Sequence, residues 1–260
     1  MISFKGKKGL VVGIANQKSI AYAVAKRLHE CGAEMAFTYG PDPKERFKGN
    51  VQEVADEMGV KVVLPLDVRD DAMNQAVFAE LDRQWGGLDF LVHSVAFADR
   101  GDLEKPFSST GREGWRMALE ISAYSLLPMV QQAAPLFKKN GGGSVVSMSF
   151  IGSVLAVPNY NVMGPAKAAL ESANRYLARE LGPDNIRCNV VSAGALRTLS
   201  SSGIKSFGDM LKVAGDHSAL GRTVTQDEVA TATTFLLSDW ASGITGQTIY
   251  VDSGFNIMAN

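Results

Sequence analysis

With 260 residues, 46% hydrophobic and 20% charged, the chain can bury a sizeable core within one α/β domain. Its formal net charge of −1, with acids and bases interspersed, leaves no basic face for nucleic acid or another polyanion. No stretch reaches the ~18 apolar residues that a membrane span needs, and no apolar run follows the N-terminal lysines as in a signal peptide. The expectation is a cytoplasmic protein, with Cys31 and Cys188 as reduced thiols outside any metal or CxxC spacing.

Short apolar runs then alternate with amphipathic stretches. Gly9 to Gly13 reads as a buried strand, and Ile20 to Cys31 as a helix with Ala21, Val24, Ala25 and Leu28 on one face. Gly32 ends that helix where a left-handed residue is expected. Strands follow at Met35 to Tyr39, Lys61 to Leu66, Leu88 to His93, Ser144 to Ser149, Ile186 to Ser192 and Thr248 to Val251. Between them, helices are expected at Glu45 to Met58, Ala72 to Trp85, Glu113 to Lys138, around Tyr160 to Lys167, and Gln226 to Ser238. Strands alternating with helices give a doubly wound parallel sheet covered on both faces, one domain over residues 1–260.

Ligands of such a sheet bind beyond the carboxyl ends of its strands. Gly13 closes the first strand, and Ala15, Ser19 and Ile20 lead into a helix that Ser19 can cap. Small residues there would admit a pyrophosphate at a helix N-terminus, although a tight turn without a ligand explains them too. Asp67, before Val68, could accept from an adenine amino group or cap the next helix. Ser94, Val95 and Ala96 close the fourth strand with side chains small enough to pass a ribose and a nicotinamide. His93 reads as a structural histidine. Ala193, Gly194, Ala195, Leu196 and Thr198 form a loop able to hold a carboxamide and phosphates.

Tyr160 and Lys167 stand seven residues apart, about two helical turns, which would raise both side chains from one helix face. A lysine near a tyrosine hydroxyl favours its ionised form and can hold ribose hydroxyls. An incidental surface pair has the same spacing, so context must decide.

That context is a set of motifs in order: Val-Val-Gly-Ile-Ala-Asn from Val11, Phe-Thr-Tyr at 37 to 39, Val-His-Ser at 92 to 94, Pro-Asn-Tyr-Asn-Val-Met-Gly at 158 to 164, Ser-Ala-Gly-x-x-Arg-Thr-Leu at 192 to 199, and Val-Asp-x-Gly-Phe at 251 to 255. Together they resemble the short-chain dehydrogenase/reductase superfamily, and more narrowly its divergent enoyl-acyl-carrier-protein reductases. The superfamily's usual motif is Tyr-x3-Lys, but Met163 stands four before Lys167, and Tyr160 gives the Tyr-x6-Lys of enoyl reductases. The superfamily's serine near the fifth strand is also replaced: Phe150 follows Ser149. Most enoyl reductases carry tyrosine at the Phe150 position, so phenylalanine implies either a longer acyl substrate or a neutral apolar swap.

The resemblance implies a Rossmann-type fold and reduction of a trans-2-enoyl thioester on acyl carrier protein by NADH. It implies Tyr160, Lys167 and the Phe150 position as the catalytic set, Lys167 also holding cofactor, and a homotetramer whose interface could use the apolar Ile249 to Met258 segment. Ala96, Phe97, Phe150, Tyr160, Met163, Leu199 and Phe207 are candidate walls of the acyl pocket. Residues 199–217 suit a mobile flap or a plain pair of surface helices. Gly40 ends the second strand with space beside an adenosine ribose; Asp42 would repel a 2′-phosphate, whereas Lys44 or Arg46 could reach one. The rivals are a carbonyl-reducing dehydrogenase and a non-catalytic dinucleotide sensor. Pro165, close to the start of the Tyr160–Lys167 helix, could kink it.

Overall fold

Lys8–Val12 forms β1, and its alternation divides the core in two: Leu10 and Val12 face one side of the sheet, Val11 the other. The computed structural model describes residues 2–42, 46–198 and 207–259. After β1 come α1 (Ile20–Glu30), β2 (Glu34–Tyr39), α2 (Arg46–Met58), β3 (Val62–Pro65), α3 (Asp71–Trp85) and β4 (Phe90–His93). The short α4 (Arg100–Glu104) precedes α5 (Arg112–Leu119) and α6 (Leu126–Lys139), then β5 (Gly143–Phe150), α7 (Met163–Leu181) and β6 (Ile186–Ala193). The last elements are α8 (Phe207–Asp216), α9 (Gln226–Leu237) and β7 (Thr248–Val251).

All strand pairs are parallel, in the order β3-β2-β1-β4-β5-β6-β7. The doubly wound sheet expected from the alternation is therefore present. Val24, Val51 and Val229 place α1, α2 and α9 on the Val11 side. Val77, Met129 and Leu170 place α3, α6 and α7 on the other. Strand order reverses between β1 and β4, and this opens a crevice at their carboxyl ends.

Local signals set the element ends. The Ser19 hydroxyl accepts from the Tyr22 amide at the start of α1, and Gly32, at φ +89°, ends the same helix as expected. At α3 the cap is Asp70, whose carboxylate accepts from the Ala72 and Met73 amides. The capping role offered for Asp67 is thus corrected: its carboxylate is occupied by Arg69 through the backbone amide at 3.0 Å, Nε at 2.9 Å and Nη2 at 2.5 Å.

The single helix expected from Glu113 to Lys138 is also corrected. A π-helical turn at Glu120–Tyr124 separates α5 from α6, with the Ser125 amide reaching the Glu120 carbonyl at 3.0 Å. That extra residue turns two serines toward the loop after β4. Ser122 Oγ accepts from the Phe97 amide at 3.0 Å, and Ser125 Oγ lies 2.8 Å from His93 Nε2. Apolar periodicity continues through a π turn, so the sequence pattern did not reveal it.

Candidate active site

Beyond the carboxyl ends of β1, β4, β5 and β6 lies a cavity of about 740 Å³. Its floor begins at Gly13, where φ is +105° and a Cβ would sit 2.1 Å from the Ser94 carbonyl oxygen. Only glycine lets the end of β1 pass this close to β4. The loop then turns through Ala15 to Ser19 and Ile20 at the N-terminus of α1, all lining the cavity. Gly40 lines it from the end of β2, with nothing within 4 Å of where its Cβ would be. A narrow glycine and alanine floor leading to a helix N-terminus fits a pyrophosphate, and open space at the end of β2 fits a ribose.

Ser94, Val95 and Ala96 line the middle of the cavity, and Ala193, Gly194, Ala195, Leu196 and Thr198 line its β6 side. Phe97, Phe150, Tyr160, Met163, Lys167 and Phe207 complete the expected set. Asp67 and Val68 do not line it: Arg69 occupies the Asp67 carboxylate, and Val68 packs against the core. Leu199 and Lys44 lie outside the described residues.

Tyr160 and Lys167 do meet at this cavity, but not by sharing a helix face. Tyr160 stands in the turn before α7, between Asn159 at φ 60° and Asn161 at φ 42°. Those left-handed asparagines reverse the chain and turn the phenol inward. The Asn161 side-chain amide ties the turn to α4, donating to the carbonyls of Asp102, Leu103 and Lys105 at 3.1, 3.0 and 2.7 Å. Pro165 is the third residue of α7, where the amide it lacks would have no helical partner, and α7 runs unbroken to Leu181.

Lys167 is buried, and Nζ donates to the Met148 carbonyl at 2.8 Å and the Val95 carbonyl at 3.5 Å. Burial lowers its pKa to about 8, against the opposing pull of Glu171. Burial, then the Glu171 charge, raises the Tyr160 phenol above its ordinary value and keeps it protonated. His93 is wholly buried, which lowers its pKa to about 3, so it is neutral as the structural reading required.

The sequence reading missed Ile14, Phe47, Ala98, Arg100, Leu103, Met148, Ser149 and Met210 among the lining residues. Met210 was recoverable, one turn from Phe207 on α8. Arg100 and Leu103 sit on α4, a helix too short to leave a period.

A dinucleotide-sized cleft at the switch point of a parallel sheet, with a buried tyrosine and lysine at its centre, defines a nicotinamide-dependent oxidoreductase architecture. The family model described as enoyl-(acyl carrier protein) reductase matches residues 13–256. The NADH enoyl-[acyl-carrier-protein] reductase of Nostoc sp. is 47% identical over 258 residues, covering 99% of both chains. That of Escherichia coli is 42% identical over 255 residues, covering 98% of this chain and 95% of the other. The Anaplasma phagocytophilum reductase, solved in complex with NAD, superposes with a TM-score of 0.94 at 42% identity, covering 99% of this chain and 96% of that one. The Bacillus cereus reductase, solved with NADP+ and an indole naphthyridinone, also gives 0.94, at 41% identity over the whole of both chains. The chain belongs to the enoyl-(acyl carrier protein) reductase family.

Proposed function

We propose that the protein reduces the trans-2 double bond of enoyl thioesters carried on acyl carrier protein, using NADH, in the elongation cycle of fatty acid biosynthesis. The observation carrying this reading is that Tyr160 and Lys167 converge on a cavity that Phe150 and Met163 also line, with the Phe150 ring packed against Tyr160. A carbonyl reductase benefits from a hydroxyl beside its tyrosine; here that position is a phenyl ring.

Bound NADH supplies the hydride, which goes to the β-carbon of the enoyl thioester. The charge that develops on the thioester oxygen is met by the Tyr160 hydroxyl, a donor held in place before reaction begins. Saturation is completed when the α-carbon takes a proton from solvent. Lys167 keeps the local potential positive and holds the nicotinamide ribose hydroxyls. Gly13, Ala15, Ser19 and Ile20 would hold the pyrophosphate, Gly40 would leave room for the adenosine ribose, and Ser94, Val95, Ala96, Ala193, Gly194, Ala195, Leu196 and Thr198 would flank the nicotinamide half. Ala96, Phe97, Met163 and Phe207 offer apolar contact to the acyl chain; of the flap expected over residues 199–217, residues 199–206 lie outside the described residues, and α8 brings Phe207 and Met210 to the cavity.

The protein works in the cytoplasm as a homotetramer. No helix among the described residues is long and apolar enough to cross a membrane. β7 is one of the two edge strands of the sheet, β3 being the other, and Ile257 and Met258 beyond β7 are exposed, which supports a subunit contact there. Light scattering after gel filtration tests the tetramer, and a monomer at assay concentration rejects it. Oxidation of NADH with a crotonyl thioester but not with ketones tests the activity; the reverse selectivity would establish the carbonyl reductase instead.

A further inference from the structure

Behind Lys167 lies a second charged side chain that does not touch the cavity. Glu171 follows Lys167 by one turn of α7 and is only 6% exposed. Its carboxylate accepts from Ser149 Oγ at 2.5 Å, and Ser149 is itself buried in β5. β5 is also the strand whose Met148 carbonyl takes the Lys167 ammonium. An unpaired carboxylate in such a place is costly, because a buried charge keeps its stability only through partners.

We propose that Glu171, fixed by Ser149, is a positioning residue of the site: its buried carboxylate, one turn of α7 from Lys167, is the counter-charge that keeps Lys167 an ammonium at working pH. The inference rests on the reading of Tyr160 and Lys167 given above. Its geometry is one buried carboxylate set a helical turn behind the ammonium. Lys167, one turn away on the same helix face, gains a counter-charge that offsets its burial. Tyr160 would have to ionise toward an existing anion, which the same charge opposes. Burial, the larger influence, lowers the pKa of Lys167 and raises that of Tyr160, and Glu171 raises both.

Among the described residues, the other groups facing this region are neutral or engaged elsewhere; the buried Asp252 carboxylate after β7, which acts on Tyr250 as Glu171 does, accepts from the Gly254 and Asn256 amides at 2.9 Å. His93 on β4 is neutral, its pKa lowered to about 3 chiefly by burial, and it bonds Ser125 through Nε2. Cys188 on β6 is a buried thiol whose pKa burial pushes up to about 12. Tyr250 on β7, in register with Ser192 and through it with Ser149, has its phenol raised by burial and then by Glu171. Across α7, Glu120 of the π turn is paired with Arg116 at the surface. Of these groups, Glu171 is the charge that acts on both Lys167 and Tyr160.

The substitution Glu171→Gln isolates this role, because the amide oxygen can still accept from Ser149 while the charge is gone. The readout is NADH affinity by fluorescence titration across pH. Affinity of the parent should fall as Lys167 deprotonates near pH 8. In Glu171→Gln the fall should come about one pH unit earlier, with equal affinity at pH 6, and Glu171→Asp should move back toward the parent. Identical midpoints for Glu171→Gln and parent overturn the proposal. Lys167→Arg keeps its charge across the range and should show no such fall; a fall at the parent's pH would also overturn it, whether or not Glu171→Gln folds. Absence of NADH binding to the parent at every pH would reject the cofactor reading instead.

Discussion

The rings of Phe150 and Tyr160 meet edge to face, with centroids 4.8 Å apart and planes at 60°. The backbone of Gly152 also abuts Tyr160: a Cβ there would sit 2.4 Å from Tyr160 Cδ1 and 3.3 Å from Phe150 Cδ1. The phenol is therefore packed against one ring and one bare backbone, with Asn161 fixing the turn that carries it. Such preorganisation matters because an oxyanion donor helps only if it needs no rearrangement as charge develops. Gly152→Ala should displace the ring and lower kcat about 10- to 100-fold, since small misplacements cost on that scale. The NADH dissociation constant should stay within twofold, and steady-state kinetics beside a cofactor titration check both halves.

Phe150→Tyr adds a hydroxyl at the wall of the cavity proposed to take the acyl chain, and keeps the ring that packs against Tyr160. It should leave folding intact and shift preference toward shorter enoyl groups. Turnover across a series of enoyl chain lengths decides it, and superposable profiles would mean that Phe150 is a neutral apolar replacement.

Tyr160→Phe deletes the proposed donor while keeping the ring and its packing. Turnover should fall about 100- to 1000-fold, as for loss of one oxyanion donor, with cofactor binding nearly unchanged. A variant with near-parental kcat would remove Tyr160 from the role.

Lys167 gives the opposite pattern, with a stability signature. Its pKa falls from 10.5 to about 8 on folding, so between those values the folded protein binds fewer protons than the unfolded chain. Stability of the ligand-free protein then rises with pH through that window, and below pH 8 the buried ammonium costs on the order of 3 kcal/mol. Lys167→Met should lose NADH affinity yet melt at the same or a higher temperature at pH 7, its advantage shrinking from pH 8 toward 10.5. Thermal melts at several pH values test this; a destabilised variant at pH 7 would show that the bonds to Met148 and Val95 outweigh the burial cost.

These residues also show what a sequence can reveal. The α1 stripe of Ala21, Val24, Ala25 and Leu28 was legible because helical period and burial coincide. The β1 turn at Gly13 was legible because a positive φ leaves few residue choices. Tyr160 and Lys167 were found through spacing and resemblance, although the helix-face geometry assumed for them was wrong. Nothing local distinguishes the first turn of a helix from a loop bounded by two left-handed asparagines. The π turn and α4 were hidden because one is a single-residue irregularity and the other is shorter than two turns. Glu171 reads as an ordinary charged helix residue until packing removes it from solvent.

Cofactor choice turns on the end of β2. Gly40 leaves open space beside the expected adenosine ribose. Two residues on, the Asp42 carboxyl is only 5% exposed and accepts from the Arg46 amide at 2.9 Å and from its Nε at 3.1 Å. Arg46, a cation that could have greeted a 2′-phosphate, is thus engaged by an acid beside it. A phosphate there would meet a carboxylate and have to draw the guanidinium away from it. NADH should therefore give the higher kcat/KM. Asp42→Asn frees Arg46 and removes the repulsion, and should narrow the NADH-over-NADPH ratio about 2- to 5-fold, the effect of a charge worth up to ~1 kcal/mol near solvent. Specificity constants for both cofactors, in parent and variant at two ionic strengths, provide the test. A ratio unmoved by the substitution would place discrimination elsewhere than Asp42, and a parent that prefers NADPH would show that Arg46 serves the phosphate rather than the acid.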